Sequence, residues 1–526
     1  MTNRGHGREL RGLDDASRSS VDSGRFGRMF RALPPAAHSP SGLHELALTM
    51  LAGESDDKGI TEPEPEDENP TISAGFTYFG QFVDHDITFD PVSSLTSQND
   101  PAALKDFRTP RMDLDSIYGR GNADQPYLYQ RDPSDKFTLG DERHPPSVTP
   151  SRPDLPRNSE GVALAGDPRN DENRIVSQLH ALFLRFHNRV VDLFPPGGER
   201  FRHAQQLVRW HYQWLIIHEY LPRIVGDATV HDLLPANGHA PNLLFYKPKE
   251  EAFMPVEFSV AAYRFGHSMV RPSYSLSSDV LSGSDPTRKR IPIFSDLTDD
   301  KANLNGFQPL ADAWGIDWAF FFPGLPQPPA TSPATGSPYQ PVQTAPFQIP
   351  QPSYRIDTVL VDPLGTLPGN PVDAGIGVEP TRSLAERNLQ RGRSLGLPSG
   401  QAVARRLGAP ILADDELWDH VDPERKARRQ AVREAFPEFH HSAPLWFYIL
   451  REAERTTRDD VADPTGLGGH HLGAVGGRIV AEVLIGLIWN DHHSYLYQDP
   501  LWQPDNRLAE TPGAFTFADL VQFTDS

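Results

Sequence analysis

Across residues 175–193, the apolar side chains Ile175, Val176, Leu179, Leu182, Phe183, Phe186, Val190 and Leu193 return at steps of three and four, with Gln178, Arg185 and Asn188 between them. Residues so spaced share one face of an α-helix, whereas a half-buried strand needs strict alternation, so this stretch predicts a long amphipathic helix. Residues 201–219 repeat the pattern with more aromatic side chains, and residues 256–270 predict another helix. Residues 479–490 are almost uniformly apolar, as in a helix buried on every side. Alternating stretches are scarce. The chain is therefore expected to be mainly α: a single large helical domain with long surface loops and little β-structure.

With 526 residues the chain is long enough to bury a large core. Its 70 acidic and 50 basic residues give a formal net charge of −20, which disfavours a polyphosphate backbone or an anionic membrane surface, so no nucleic-acid partner is expected. There is no cysteine. Disulfides, thiolate nucleophiles, iron–sulfur clusters and thiolate-held zinc or haem are thereby excluded, and any metal must sit on histidine or oxygen ligands.

Residues 1–11 are polar and basic, without the apolar core of a secretory signal, and the most apolar run, residues 479–489, is interrupted by Glu482. That run is also shorter than the roughly 20 residues a spanning helix needs. A soluble, cytoplasmic protein without a transmembrane segment is expected.

Residues 1–60 read as a flexible tail and linker. The first 40 are rich in Arg, Gly, Ser and Asp, residues 43–51 suit one short helix, and residues 54–70 are acidic and proline-containing. The domain is assigned to residues 61–526, with its folded body beginning near Ile72. Residues 124–156 and the Pro-rich insertion 323–352 read as surface loops.

Four short constellations carry the chemistry. In Gly80-Gln81-Phe82-Val83-Asp84-His85-Asp86, Gln81 and His85 are four apart and share a helix face, with carboxylates on either side of an imidazole able to take and return a proton. The same tripeptide also suits a solvated helix edge or an N-cap cluster. In Arg169-Asn170-Asp171-Glu172 the acidic residues fit a helix start, but Arg169 does not. A fixed guanidinium suits stabilisation of negative charge as a peroxide bond breaks.

In Tyr263-Arg264-Phe265-Gly266-His267, the glycine permits close approach of a flat group beside His267, which is either an axial ligand or a hydrogen-bonded core histidine. As a ligand it needs an acceptor on its second nitrogen, for which Asn388 is the candidate. In the segment from Arg108 to Asp115, oxygen-bearing side chains alternate around backbone carbonyls in a way that suits Ca²⁺, with Asp86 completing the shell; turn and N-cap chemistry is the other reading.

Taken in order, these motifs resemble the animal-type haem peroxidases of the peroxidase–cyclooxygenase superfamily, over about residues 72–504. The resemblance implies haem b, with His85 as distal base, Gln81 beside it, Arg169 polarising the peroxide and His267 as axial iron ligand. It implies that Asn388 holds the other nitrogen of His267 and that Arg264 and Arg391 pair with haem propionates. Asp84 and Glu172 stand where relatives form ester bonds to haem, and Asn173 replaces the methionine that forms a sulfonium link in the leukocyte enzyme. The implied calcium ligands are Asp86, Thr109, the carbonyl of Arg111, Asp113 and Asp115. H₂O₂ and a small organic or halide reductant are the implied substrates. The lack of cysteine and the run Arg391-Gly392-Arg393-Ser394-Leu395-Gly396 resemble a bacterial branch.

Two other readings remain. A fatty-acid dioxygenase of the same superfamily needs a tyrosine three residues before the axial histidine. That position is Arg264, and Tyr263 is one residue off, roughly 100° around a helix. A non-catalytic binding protein on the same fold would have lost distal or proximal residues, all of which are present.

Overall fold

The computed structural model describes residues 24–52, 65–89, 100–101, 104–133, 135–144, 150–235, 238–248, 251–277, 290–294, 303–311, 314–326, 350–367, 381–458 and 467–526. Most of the insertion at 323–352 lies outside these residues.

Helices dominate, and eight organise the core: α1 (Pro40–Leu48), α2 (Ala74–Ile87), α3 (Arg174–Val191), α4 (Arg200–Trp214), α5 (Leu384–Ser394), α6 (Leu445–Ala453), α7 (Ala474–Asn490) and α8 (Phe517–Asp525). The expected periodic helix is α3, started by Asn173, whose side-chain oxygen accepts from the amide of Ile175 at 2.8 Å. α3 packs against α2, α4 and α8. Aromatic rings join these helices: Phe82 of α2 stacks on Phe183 of α3 with centroids 5.0 Å apart, and Phe79 meets Phe517 of α8 edge-on at 4.6 Å. α7 is buried along nearly its whole length, as its composition requires, and packs on α6.

Two expected helices change form. α4 continues into a π-helical turn at Leu215–Tyr220, which carries Tyr220 over Gly80 of α2 so closely that a β-carbon at Gly80 would collide with the tyrosine oxygen. Residues 256–270 form no continuous helix. A short helix at Val256–Ser259 is followed by a 3₁₀ segment at Ala262–His267. Side chains serve carbonyls there: Arg264 Nε donates to Ser259 O at 2.7 Å, and Trp446 Nε1 donates to Arg264 O at 3.2 Å.

Of residues 1–60, read as a flexible tail and linker, residues 24–52 are folded, and residues 1–23 and 53–60 lie outside the described residues. Strand β1 (Gly24–Gly27) is the middle of a three-stranded sheet, antiparallel to Lys105–Asp106 and parallel to Met254–Pro255. Phe26, Phe30, Leu43 and Leu46 are buried. The buried Glu257 carboxylate accepts from the amides of Met29 and Phe30 at 2.9 and 3.1 Å. The acidic stretch before Ile72 likewise ends in a strand, Glu68–Ser73, antiparallel to Pro352–Tyr354. Among the described residues, no helix is long and apolar enough to cross a membrane.

Candidate active site

A cavity of about 560 Å³ opens where α2, the Ala262–His267 segment, the residues leading into α3 and the start of α5 meet. Gln81, Asp84 and His85 reach it from the one face of α2 that their spacing predicts. His85 is 3% exposed, with Nδ1 2.8 Å from Asn170 Oδ1 and Nε2 3.3 Å from Glu172 Oε1. Gln81 Nε2 donates to the same glutamate oxygen at 2.6 Å.

His267 lines the cavity from another wall. Burial, reinforced by the nearby Arg264 charge, drives its pKa down to about 3, so the ring is neutral. Its Nδ1 lies 2.7 Å from the side-chain amide of Asn388. Amide oxygen and nitrogen exchange places by a half-turn, so Asn388 Oδ1 can accept from Nδ1–H and leave the Nε2 lone pair for a metal.

Below His85 on α2, Asp86 meets Asp113 and Asp115, and each offers an oxygen within 4.8 Å of the others. Burial and its two acidic neighbours push Asp86 well above the ordinary carboxylate range, and burial moves Asp115 up to about 7. The intervening Leu114 adopts a left-handed conformation (φ 57°), which turns Asp113 and Asp115 inward. Thr109 Oγ1 donates to Asp113 Oδ1 at 3.0 Å, and the Arg111 guanidinium donates to Asp113 Oδ2 at 3.2 Å. Buried oxygens at this density fit a hard dication.

Residues 96–312 match the family model for animal haem peroxidase. That stretch of the chain is similar to the animal haem peroxidase domain. Peroxidase A of Dictyostelium discoideum superposes with a TM-score of 0.58 at 17% identity, over 99% of this chain and 98% of that one. The fatty acid α-dioxygenase of Arabidopsis thaliana follows the same fold, with a TM-score of 0.57 at 13% identity, over 94% of this chain and 74% of that one. In sequence, peroxinectin A of Dictyostelium discoideum is 24% identical over 376 residues, 69% of this chain and 55% of its own length. Thyroid peroxidase of Mus musculus is 32% identical over 128 residues, 23% of this chain and 13% of its own length. The chain thus spans less than two thirds of the length of these two relatives.

Within this peroxidase-like fold, two of the three expected arginines, Arg169 and Arg391, lie off the cavity wall. Arg169 is absent from the cavity wall. It grips the fully buried Asp167 through Nε (3.1 Å) and Nη2 (2.8 Å), and Nη2 also donates to the carbonyls of His85 and Thr88, at the end of α2. Burial alone would raise Asp167, but Arg169 and Arg108 hold it well below the carboxylate range, and this partnership fixes where the guanidinium lies. Arg264 does line the cavity, paired with Asp84 at 3.0 Å. Arg391 is not on the cavity wall; Arg387, one turn earlier on α5, is. The two lie one turn apart on the same face of α5, so nothing in the sequence alone distinguishes them. Tyr263 also lines the cavity, beside Tyr220, because the 3₁₀ turn changes the angular spacing that a regular helix implies.

Proposed function

We propose that the chain is a haem-dependent peroxidase that reduces H₂O₂ and oxidises small organic donors or halides. The observation that carries this reading is a single cavity holding both a buried imidazole backed by Asn170 and a neutral imidazole backed by Asn388. The residues present fit haem b: an apolar wall that includes Phe265, Met269 and Ile293, a neutral nitrogen donor, and the guanidiniums of Arg264 and Arg387 for two carboxylates. Bound haem supplies redox storage for the two oxidising equivalents of the peroxide.

The protein residues supply orientation and proton transfer. His267 Nε2 would hold the haem iron, and Asn388 would fix the orientation of its ring. His85 takes a proton from the near oxygen of H₂O₂ and returns it to the departing oxygen, while Gln81 holds the peroxide beside it. Asp84 and Glu172, both on the cavity wall, are the carboxylates for ester attachment. Arg169 acts by holding His85 and the end of α2 rather than by touching the peroxide. Asp86, Asp113 and Asp115, with Thr109 and the Arg111 carbonyl, hold Ca²⁺ and anchor the residue next to His85.

The test is optical. Chain reconstituted with haem should show a Soret band that shifts on adding H₂O₂ and returns with guaiacol, and His267→Ala should lose the native band. A purified chain that binds no haem would overturn the reading. A second reading, fatty-acid oxygenation, is favoured by Tyr263 in the cavity wall. Oxygen uptake with linoleate and no added peroxide would support it, and its absence in the haem-loaded protein removes it.

A further inference from the structure

Behind His85, away from the cavity, three side chains form a closed polar chain. Asn170 is completely buried, with Oδ1 2.8 Å from His85 Nδ1 and Nδ2 2.9 Å from His180 Nδ1. His180 is 1% exposed, and burial lowers its pKa to about 3, so its ring is neutral. Neither Asn170 nor His180 touches the cavity. Their hydrogen bonds are therefore spent on holding His85.

A primary amide donates only through nitrogen and accepts only through oxygen, and a neutral imidazole carries one N–H. Two proton arrangements satisfy both contacts. In the first, His85 Nδ1–H donates to Asn170 Oδ1, Asn170 Nδ2 donates to His180 Nδ1, and the lone pair of His85 sits on Nε2, facing the cavity. In the second, the amide is turned by half a revolution. His180 Nδ1–H then donates to Oδ1, Nδ2 donates to His85 Nδ1, and His85 Nε2–H points at Glu172 Oε1, 3.3 Å away. Only the first makes His85 a base toward the cavity. Any mixed arrangement sets two buried donors or two buried acceptors against each other.

We propose that Asn170, backed by His180, is the positioning residue that decides which ring nitrogen of His85 presents a lone pair to the cavity. Its amide is held in register by its own neighbours. Asn170 lies in the 3₁₀ turn Pro168–Asp171, started by Asp167, whose carboxylate accepts from the amide of Arg169 at 2.8 Å. Arg169 then ties that turn to the carbonyl of His85. One short segment thus grips His85 by its backbone and by its ring. Glu172 biases the choice: its oxygen opposite Nε2 favours the proton there, and moving that carboxylate away favours the base form.

The consequence for peroxide chemistry rests on the peroxidase reading, whereas the tautomer is a property of the haem-free chain, and the two are measured separately. Haem-free protein labelled with ¹⁵N-histidine is examined by two-bond ¹H–¹⁵N correlation, with the His85 signals assigned by their loss in His85→Gln. Asn170→Asp replaces the amide by a pure acceptor, so it should lock His85 into the Nδ1–H form and leave His180 protonated at Nδ1. Asn170→Ala should give averaged His85 tautomers, and His180→Gln should alter the His85 pattern without touching the cavity.

In haem-loaded protein, the first absorbance change with H₂O₂ should slow about 10- to 100-fold in Asn170→Ala and stay within a few-fold of wild type in Asn170→Asp. A His85 that is not in the Nδ1–H form in Asn170→Asp, or whose pattern is unchanged in His180→Gln, overturns the proposal, whether or not Asn170→Ala folds. Tautomer shifts as expected in a protein that never reacts with peroxide leave the positioning role standing and remove the peroxidase reading.

Discussion

Asp84 Oδ2 accepts a 3.0 Å hydrogen bond from Arg264 Nη1, so α2 and the segment bearing His267 are joined by an ion pair on the cavity wall. If Asp84 instead forms an ester with haem, that guanidinium is released for a propionate. Haem-loaded wild-type protein after one round of peroxide should carry haem mass through denaturing chromatography. Asp84→Asn and Glu172→Gln should each remove one attachment, and the double variant should lose all covalent haem. Intact-mass measurement decides this, and full retention in the double variant contradicts both assignments.

The three carboxylates of the Asp86 cluster repel one another unless a cation lies between them. Calcium should raise the thermal midpoint, by an amount corresponding to about 2.7 kcal/mol at 100-fold excess over Kd. Asp113→Asn should abolish most of that gain. Calorimetric titration of chelator-treated protein with Ca²⁺ checks both, and a flat titration would contradict the ligand set.

Arg169 offers a clean discrimination between holding the fold and touching substrate. Arg169→Ala strips the fully buried Asp167 of one of its two arginines and should cost roughly 3 kcal/mol of stability. A guanidinium that acted only on peroxide would instead leave the denaturation midpoint in place and lower the peroxide rate alone. Urea unfolding alongside stopped-flow kinetics separates the cases.

The buried Glu452 accepts from the amides of Val475 and Gly476 at the start of α7, and burial raises its pKa to about 7. Because the folded value lies above the unfolded one near 4.5, the native state holds the extra proton between these values. Its contribution is full below pH 4.5 and is lost as pH rises through 7, an effect of roughly 3 kcal/mol. Glu452→Gln should flatten that slope, so the variant gains on wild type between pH 5 and 8. Parallel melts across that range are the check.

Much of the site is legible because it is local. The spacing of Gln81, Asp84 and His85 on one helix, the Asp113–Asp115 alternation and the start of α3 follow from periodicity within a few residues. What escapes is set by distant partners. Arg169 goes where the buried Asp167 draws it, and Arg387 rather than Arg391 meets the cavity because the start of α5 lies against it. Asn170 reads as part of an acidic helix start until His85 and His180 are found on either side of it. Residues 24–52 read as a tail because the groups that hold them, Glu257 among them, lie far along the chain.

Strand β1 carries an implication for how the molecule is made. It is flanked by the segment that leads into the Asp113–Asp115 loop and by the one that leads into His267, and its anchor from Met29 to Glu257 spans 228 residues. During synthesis this strand emerges 80 residues before its antiparallel partner and 228 before its parallel one. Joining the two halves of the site through this strand is therefore a long-range event in folding. A short excision at residues 24–30 should yield a chain with its helices formed but its two histidine walls out of register.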